Sequence, residues 1–295
     1  MDKKLLHGVH TALITPMKDG RVSYGDLECL ISRQIAGNIS GLVPCGTTGE
    51  SPTLSKEEHL EVIRQTVRMT NGRIPVIAGT GANSTLEALY LTEKADQAGA
   101  DAFLVVAPYY NKPSQEGLFV HFSEIAKKTE KPIVLYSIPS RCGIEISTDI
   151  VKRLREKHPH ICALKEAGGR SSKVSETVVT LDSDFTVLSG DDGLTLPFMA
   201  CGAKGVVSVA SNLLPKNVFS LVSLALKGNF TEAQKIHLEN YHFFTDIFCE
   251  PNPVPIKFLL YLKDIISSPE VRLPLSPPSA SNTKLLEEIA RNLKI

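Results

Sequence analysis

The stretches Pro132-Ile133-Val134-Leu135-Tyr136-Ser137-Ile138-Pro139 and Ile161-Cys162-Ala163-Leu164-Lys165-Glu166-Ala167 read as two short strands, apolar almost without a break. Such runs fit a parallel sheet buried on both faces better than a half-solvated sheet, whose strands alternate apolar and polar residues. Working outward, six more of the same kind occur: HTALIT from His10, GLVPCG from Gly41, IPVIAG from Ile74, AFLVVAP from Ala102, FTVLSG from Phe185 and GVVSVA from Gly205. Segments of helical period separate the runs. Two carry helix-start signals: Ser55-Lys56-Glu57-Glu58 matches a capping box, and Ser84-Thr85-Leu86-Glu87 is a second candidate. Successive runs begin about 20 to 33 residues apart, which is the repeat a (β/α)₈ barrel needs. Residues 1–228 are therefore expected to form a (β/α)₈ TIM barrel of the α/β class. Residues 229–295 are expected to pack on it as a helical appendage, with helices near 230–247, 254–265 and 282–293. An open doubly wound sheet is the competitor. It would carry G-x-G-x-x-G after its first strand, where this chain has Thr15-Pro16-Met17-Lys18-Asp19-Gly20.

With 295 residues, 42% of them apolar and 22% charged, the chain can bury a large core. Lysine plus arginine equals aspartate plus glutamate at 32 each, so neither nucleic acid nor an anionic membrane is expected as a partner. The six cysteines form no C-x-x-C pair, which points to reduced thiols in a cytoplasmic protein rather than a zinc site or redox couple. The opening MDKKLLHGVHTALITP lacks the long apolar core of a signal peptide, and no run of about 18 uncharged apolar residues follows.

Barrel enzymes build their active sites from the C-terminal strand ends and the loops beyond them. Here those positions hold Thr47 and Thr48, Tyr109 and Tyr110, Tyr136, Arg141, Lys165, and Asp191 with Asp192. Lys165 is the one nucleophilic amine among them. An apolar strand would desolvate it, lower its pKa and leave a free amine able to attack a ketone. A plain strand-end lysine paired with Glu166 is the other reading, although strand alternation sends Glu166 to the opposite face. Tyr136, about one βα unit earlier, could shuttle protons or could be a packed core tyrosine. The Thr47-Thr48-Gly49-Glu50 turn could hold a carboxylate on its backbone amides, and an ordinary βα turn would look similar. Arg141, between Pro139 and Gly143, could grip a second carboxylate or stand in solvent. Asp191-Asp192 disfavours a phosphorylated substrate, and His158-Pro159-His160 lies on the non-catalytic side, so no metal is expected.

Gly46-Thr47-Thr48-Gly49-Glu50, Tyr136-x-x-Pro139-x-Arg141-x-Gly143 and Lys165-Glu166-Ala167 stand in order, together with Pro108-Tyr109-Tyr110-Asn111-Lys112-Pro113, Ser189-Gly190-Asp191-Asp192 and Glu250-Pro251-Asn252-Pro253. In this the chain resembles the dihydrodipicolinate synthase/N-acetylneuraminate lyase family over essentially its whole length. The resemblance implies a cofactor-independent lyase that condenses pyruvate with L-aspartate 4-semialdehyde to 4-hydroxy-tetrahydrodipicolinate, in lysine and diaminopimelate biosynthesis. It implies Lys165 as the Schiff-base lysine and Thr47, Tyr110 and Tyr136 as a proton relay, with Tyr110 reaching into a neighbouring subunit of a homotetramer, a dimer of dimers. Thr48, Arg141, Gly190 and Val207 would contact substrate.

Two departures stand out. Cys142 replaces the threonine that usually follows the arginine. The family's lysine-feedback site maps to Ser51, Pro52, Lys56, His59, Asn83, Glu87 and Tyr109, and lysine-inhibited members have a small residue and a histidine where Pro52 and Lys56 stand here. A cation at position 56 would repel the inhibitor. Other pyruvate-dependent aldolases acting on N-acetylneuraminate or keto-deoxy sugar acids stay open as an alternative, as does a non-catalytic carboxylate-binding barrel.

Overall fold

The computed structural model describes residues 5–293. Eight strands form its centre: β1 (Gly8–Ala12), β2 (Gly41–Val43), β3 (Ile77–Gly79), β4 (Ala102–Val106), β5 (Ile133–Ser137), β6 (Ile161–Glu166), β7 (Thr186–Ser189) and β8 (Gly205–Ser208). They lie in the order β2-β1-β8-β7-β6-β5-β4-β3, and every pairing is parallel. A parallel bridge from Leu42 to Val76 joins the two ends and closes the barrel. All eight expected runs overlap a strand.

Helices α1 to α8 (Tyr24–Ala36, Lys56–Thr70, Thr85–Gln97, Gln115–Ala126, Thr148–Lys157, Ser171–Thr180, Thr195–Ala200 and Pro215–Leu226) surround the barrel, one after each strand. The Ser55 capping box forms: Glu58 N donates to Ser55 Oγ at 3.2 Å, and Ser55 N donates to Glu58 Oε2 at 2.9 Å. Ser84 also precedes a helix, but its side chain makes no capping bond. Of the two capping candidates, only the first is real.

Strand alternation produces two apolar layers. Val134, Tyr136, Ala163, Leu188 and Val207 face the barrel axis, while Ile133, Leu135, Leu164 and Val187 face the helices. This is why the strands read as unbroken apolar runs. Three further helices, α9 (Phe230–Asp246), α10 (Val254–Leu262) and α11 (Ala280–Asn292), follow the barrel. Helix α9 packs on α8, and α10 packs on α11 and on the Ala210–Asn212 turn beyond β8. The C-terminal helices thereby reach the mouth of the barrel. No helix among the described residues is long and apolar enough to cross a membrane.

Candidate active site

The register of β5 on β6 pairs Tyr136 with Lys165, so both side chains enter the barrel mouth at one depth. Lys165 is only 6% exposed, and its Nζ lies 3.8 Å from the centroid of the Tyr136 ring. Burial lowers its pKa to about 7; the nearby Asp192 charge works against that shift and Arg141 works with it. A substantial share of the amine is therefore unprotonated near neutrality. Glu166 does not quench it. It points to the outer face, where Oε1 accepts the Gly168 amide at 2.6 Å and burial raises its pKa to about 7.

Two residues of the β7 loop shape the space around the amine. A Cβ at Gly190 would stand 2.7 Å from Ala167 Cβ and 3.1 Å from Lys165 Cε, so glycine there leaves the lysine stem its path. Asp192 is buried and fixed by the Val209 and Ala210 amides at 2.9 and 3.0 Å and by the Ser208 hydroxyl. Burial raises its pKa to about 6. Asp191 is occupied locally, its Oδ1 accepting the Leu194 amide at 3.2 Å.

Beyond β2, the Gly46–Glu50 segment forms the expected tight turn, with Gly49 N and Glu50 N donating to the Gly46 and Thr47 carbonyls at 3.1 Å each. Among the described residues, the Thr47 and Thr48 amides have no protein acceptor. The Thr47 side chain is in hydrogen-bonding contact with Tyr136, whose pKa burial pushes up to about 12, so the phenol keeps its proton near neutrality. Thr47, Tyr136, Arg141, Tyr109 and Cys142 line one cavity of about 200 Å³, together with apolar Leu104, Val106 and Ile138. Arg141 stands on a one-turn helix, Pro139–Cys142, closed by Gly143 at φ 72°, rather than on the irregular loop its proline and glycine suggest. Its Nη2 donates to the Asn252 carbonyl at 3.4 Å. The Cys142 thiol donates to the Ala107 carbonyl at 3.2 Å, and burial raises its pKa to about 11.

Other expected residues lie elsewhere. Tyr110, at φ 73°, is 90% exposed and outside the cavity of its own chain. Val207 is buried in the same inner cluster of the barrel as Tyr136. Of the residues mapped to a lysine-feedback site, Ser51, Pro52 and Tyr109 line the cavity. His59 Nε2 bonds the Gly79 carbonyl at 2.7 Å, and the Asn83 carbonyl accepts from Asn111 at 2.8 Å. Lys56 Nζ lies 3.8 Å from the Glu87 carboxylate. His160 bonds the Ala126 carbonyl at 2.9 Å, away from the site. Among the described residues, no group of three or more His, Cys, Asp and Glu side chains could hold a metal ion.

Two residues escaped a role in the sequence reading. Asn252 Nδ2 donates to Thr48 Oγ1 at 2.9 Å, and the fully buried Lys257 reaches Glu50. The signal for Lys257 was present, as a lone charge in the apolar helix Val254–Leu262.

Residues 5–293 match the dihydrodipicolinate synthetase family. The chain belongs to that family. It is 49% identical over 287 residues to the 4-hydroxy-tetrahydrodipicolinate synthase of Sulfurihydrogenibium sp., covering 97% of this chain and 98% of the relative. Among family members of known structure, the 4-hydroxy-tetrahydrodipicolinate synthase of Methylacidiphilum fumariolicum SolV superposes with a TM-score of 0.95 at 51% identity, covering 96% of this chain and 94% of that one. The dihydrodipicolinate synthase of Acinetobacter baumannii, in complex with pyruvate, gives 0.94 at 39% identity over 97% of this chain and 98% of that one.

Proposed function

We propose that this chain is a lyase that condenses pyruvate with L-aspartate 4-semialdehyde to 4-hydroxy-tetrahydrodipicolinate, a step of lysine and diaminopimelate biosynthesis in the cytoplasm. The observation that carries this reading is the desolvated Lys165 amine held over the Tyr136 ring, with Tyr136 in turn bonded to the Thr47 side chain of the turn whose Thr47 and Thr48 amides have no acceptor among the described residues. The two amides hold the pyruvate carboxylate, which sets the ketone carbon against Lys165. The amine attacks that carbon to give a carbinolamine. Loss of water, with the proton supplied through Tyr136, gives the imine. Removal of a proton from the pyruvate methyl gives an enamine, which attacks the aldehyde carbon of the second substrate. Arg141 grips the carboxylate of that substrate. Its amino group then displaces Lys165 as the ring closes, freeing the lysine for another turn.

Thr47, Tyr136 and Tyr110 act as the proton relay, with Tyr110 entering the site of a neighbouring subunit in a homotetramer, and Gly190 and Val207 border the substrate. Residues 1–228 make up the barrel unit and 229–295 its packed appendage, the ends of that division at 1–4 and 294–295 lying outside the described residues. The Lys56–Glu87 ion pair supports a further part of the reading, that L-lysine does not inhibit this chain.

Following pyruvate consumption with and without aspartate 4-semialdehyde tests the assignment. Consumption that depends on the semialdehyde is expected, with Arg141→Ala raising its KM by about tenfold or more, a loss of roughly 1.4 kcal/mol of binding. Cleavage of a keto-deoxy sugar acid in place of this condensation would overturn it.

A further inference from the structure

The C-terminal helices reach the Thr47-Thr48 turn through a side-chain pair that takes no part in the chemistry. Glu50 ends the turn at φ 54°, a left-handed conformation that a residue bearing a Cβ holds only when its surroundings impose it. Its Oε1 accepts from Lys257 Nζ at 2.7 Å, and both side chains are 0% exposed. Its Oε2 accepts the Arg272 amide at 3.0 Å. The Arg272 guanidinium then donates to both Glu58 oxygens at 2.6 Å and to the Thr53 carbonyl at 2.9 Å. The turn is thus gripped from the appendage at Glu50, while Asn252 holds the Thr48 hydroxyl at 2.9 Å.

Burying two charges costs more desolvation than their attraction reliably returns, and an apolar pair of the same volume is often as stable. Stability alone therefore does not account for the pair. We propose that Glu50 and Lys257 are positioning residues for pyruvate: their ion pair fixes the turn so that the Thr47 and Thr48 amides converge on one carboxylate. Helix α10 then belongs to the active site at one remove, without touching substrate. This rests on the reading that those amides bind pyruvate.

The test uses the full chain and three variants, Lys257→Met, Glu50→Gln and the double Glu50→Gln/Lys257→Met. For each, the pyruvate concentration giving half-maximal borohydride-trapped adduct is measured beside the melting temperature and the KM for aspartate 4-semialdehyde. Either single change is expected to raise the half-saturating pyruvate concentration about tenfold or more and to leave the semialdehyde KM within about twofold. The double variant, which leaves no unpaired buried charge, is expected to regain the melting temperature while staying weak for pyruvate. If Lys257→Met does not fold, the other two variants carry the test. A double variant that recovers wild-type pyruvate saturation, or variants shifted in melting temperature alone, would overturn the proposal. A wild-type protein that traps no pyruvate would overturn the Schiff-base reading and this one with it.

Discussion

At the scale of the residue, the chemistry follows from where alternation along β6 sends one amine. Lys165 turns inward to a site where its ammonium is poorly solvated, and Glu166 turns outward and cannot neutralise it. Because the pKa is lowered to about 7, the folded protein carries a buried ammonium below that pH and a free amine above it. The rate of pyruvate imine formation should therefore rise with pH through a midpoint near 7, followed by borohydride quench. A flat profile between about pH 6 and 8 would contradict the desolvation argument. The same burial costs stability. Lys165→Met should melt a few degrees higher, most clearly below pH 7, and its advantage should shrink as pH rises from about 7 toward the ordinary lysine value. Gly190→Ala should push the lysine stem from its path and lower kcat about tenfold or more, with the melting temperature as a control. Lys165, Tyr136 and the direction of Glu166 were legible in the sequence because they depend on strand period and spacing. The roles of Asn252 and Lys257 were not, although Lys257 stands out as a lone charge in an apolar helix, because their partners Thr48 and Glu50 lie 204 and 207 positions away and only closure of the fold brings them together.

At the scale of the element, local rules succeeded where the bond they describe is local. The Ser55 box closes within one turn of α2, whereas Ser84 stands at the same position of α3 without its side-chain bond. Ser55→Ala should cost about 1 kcal/mol of unfolding free energy in denaturant, and Ser84→Ala only a small fraction of that. Equal losses would contradict the difference between the two caps. Strand ends were less legible. The run from His10 to Thr15 stays buried past Ala12, where sheet pairing stops, and β1 begins two residues earlier at Gly8. Apolar patterning reports burial, and burial outlasts hydrogen-bond pairing in the loops that cover a barrel. Helices α2 and α3 face each other through Lys56 and Glu87. With that carboxylate already facing a cation, millimolar L-lysine should leave the condensation rate within about twofold of its uninhibited value. Strong inhibition would show that the pair yields to the ligand.

At the scale of the whole molecule, the barrel gathers the turn after β2, Tyr136 on β5 and Arg141 beyond it around one cavity, with Lys165 on β6 against the Tyr136 ring, and the appendage braces the first of these. The single chain leaves one member of the proposed relay outside, since Tyr110 is 90% exposed. The oligomer is therefore expected to complete the site. Dilution or an interface substitution that yields folded monomers should remove most activity, as followed by sedimentation beside turnover, and a fully active monomer would dismiss the role of Tyr110. The barrel itself was legible from eight apolar runs at regular spacing, while the grip of the C-terminal helices on the turn depends on three-dimensional closure. The most direct measurement on the central claim is mass analysis of the protein after incubation with pyruvate and borohydride. The account predicts one reduced pyruvate attached to the peptide that carries Lys165, and none in Lys165→Met. An unmodified wild-type protein, or an adduct on another lysine, would contradict it.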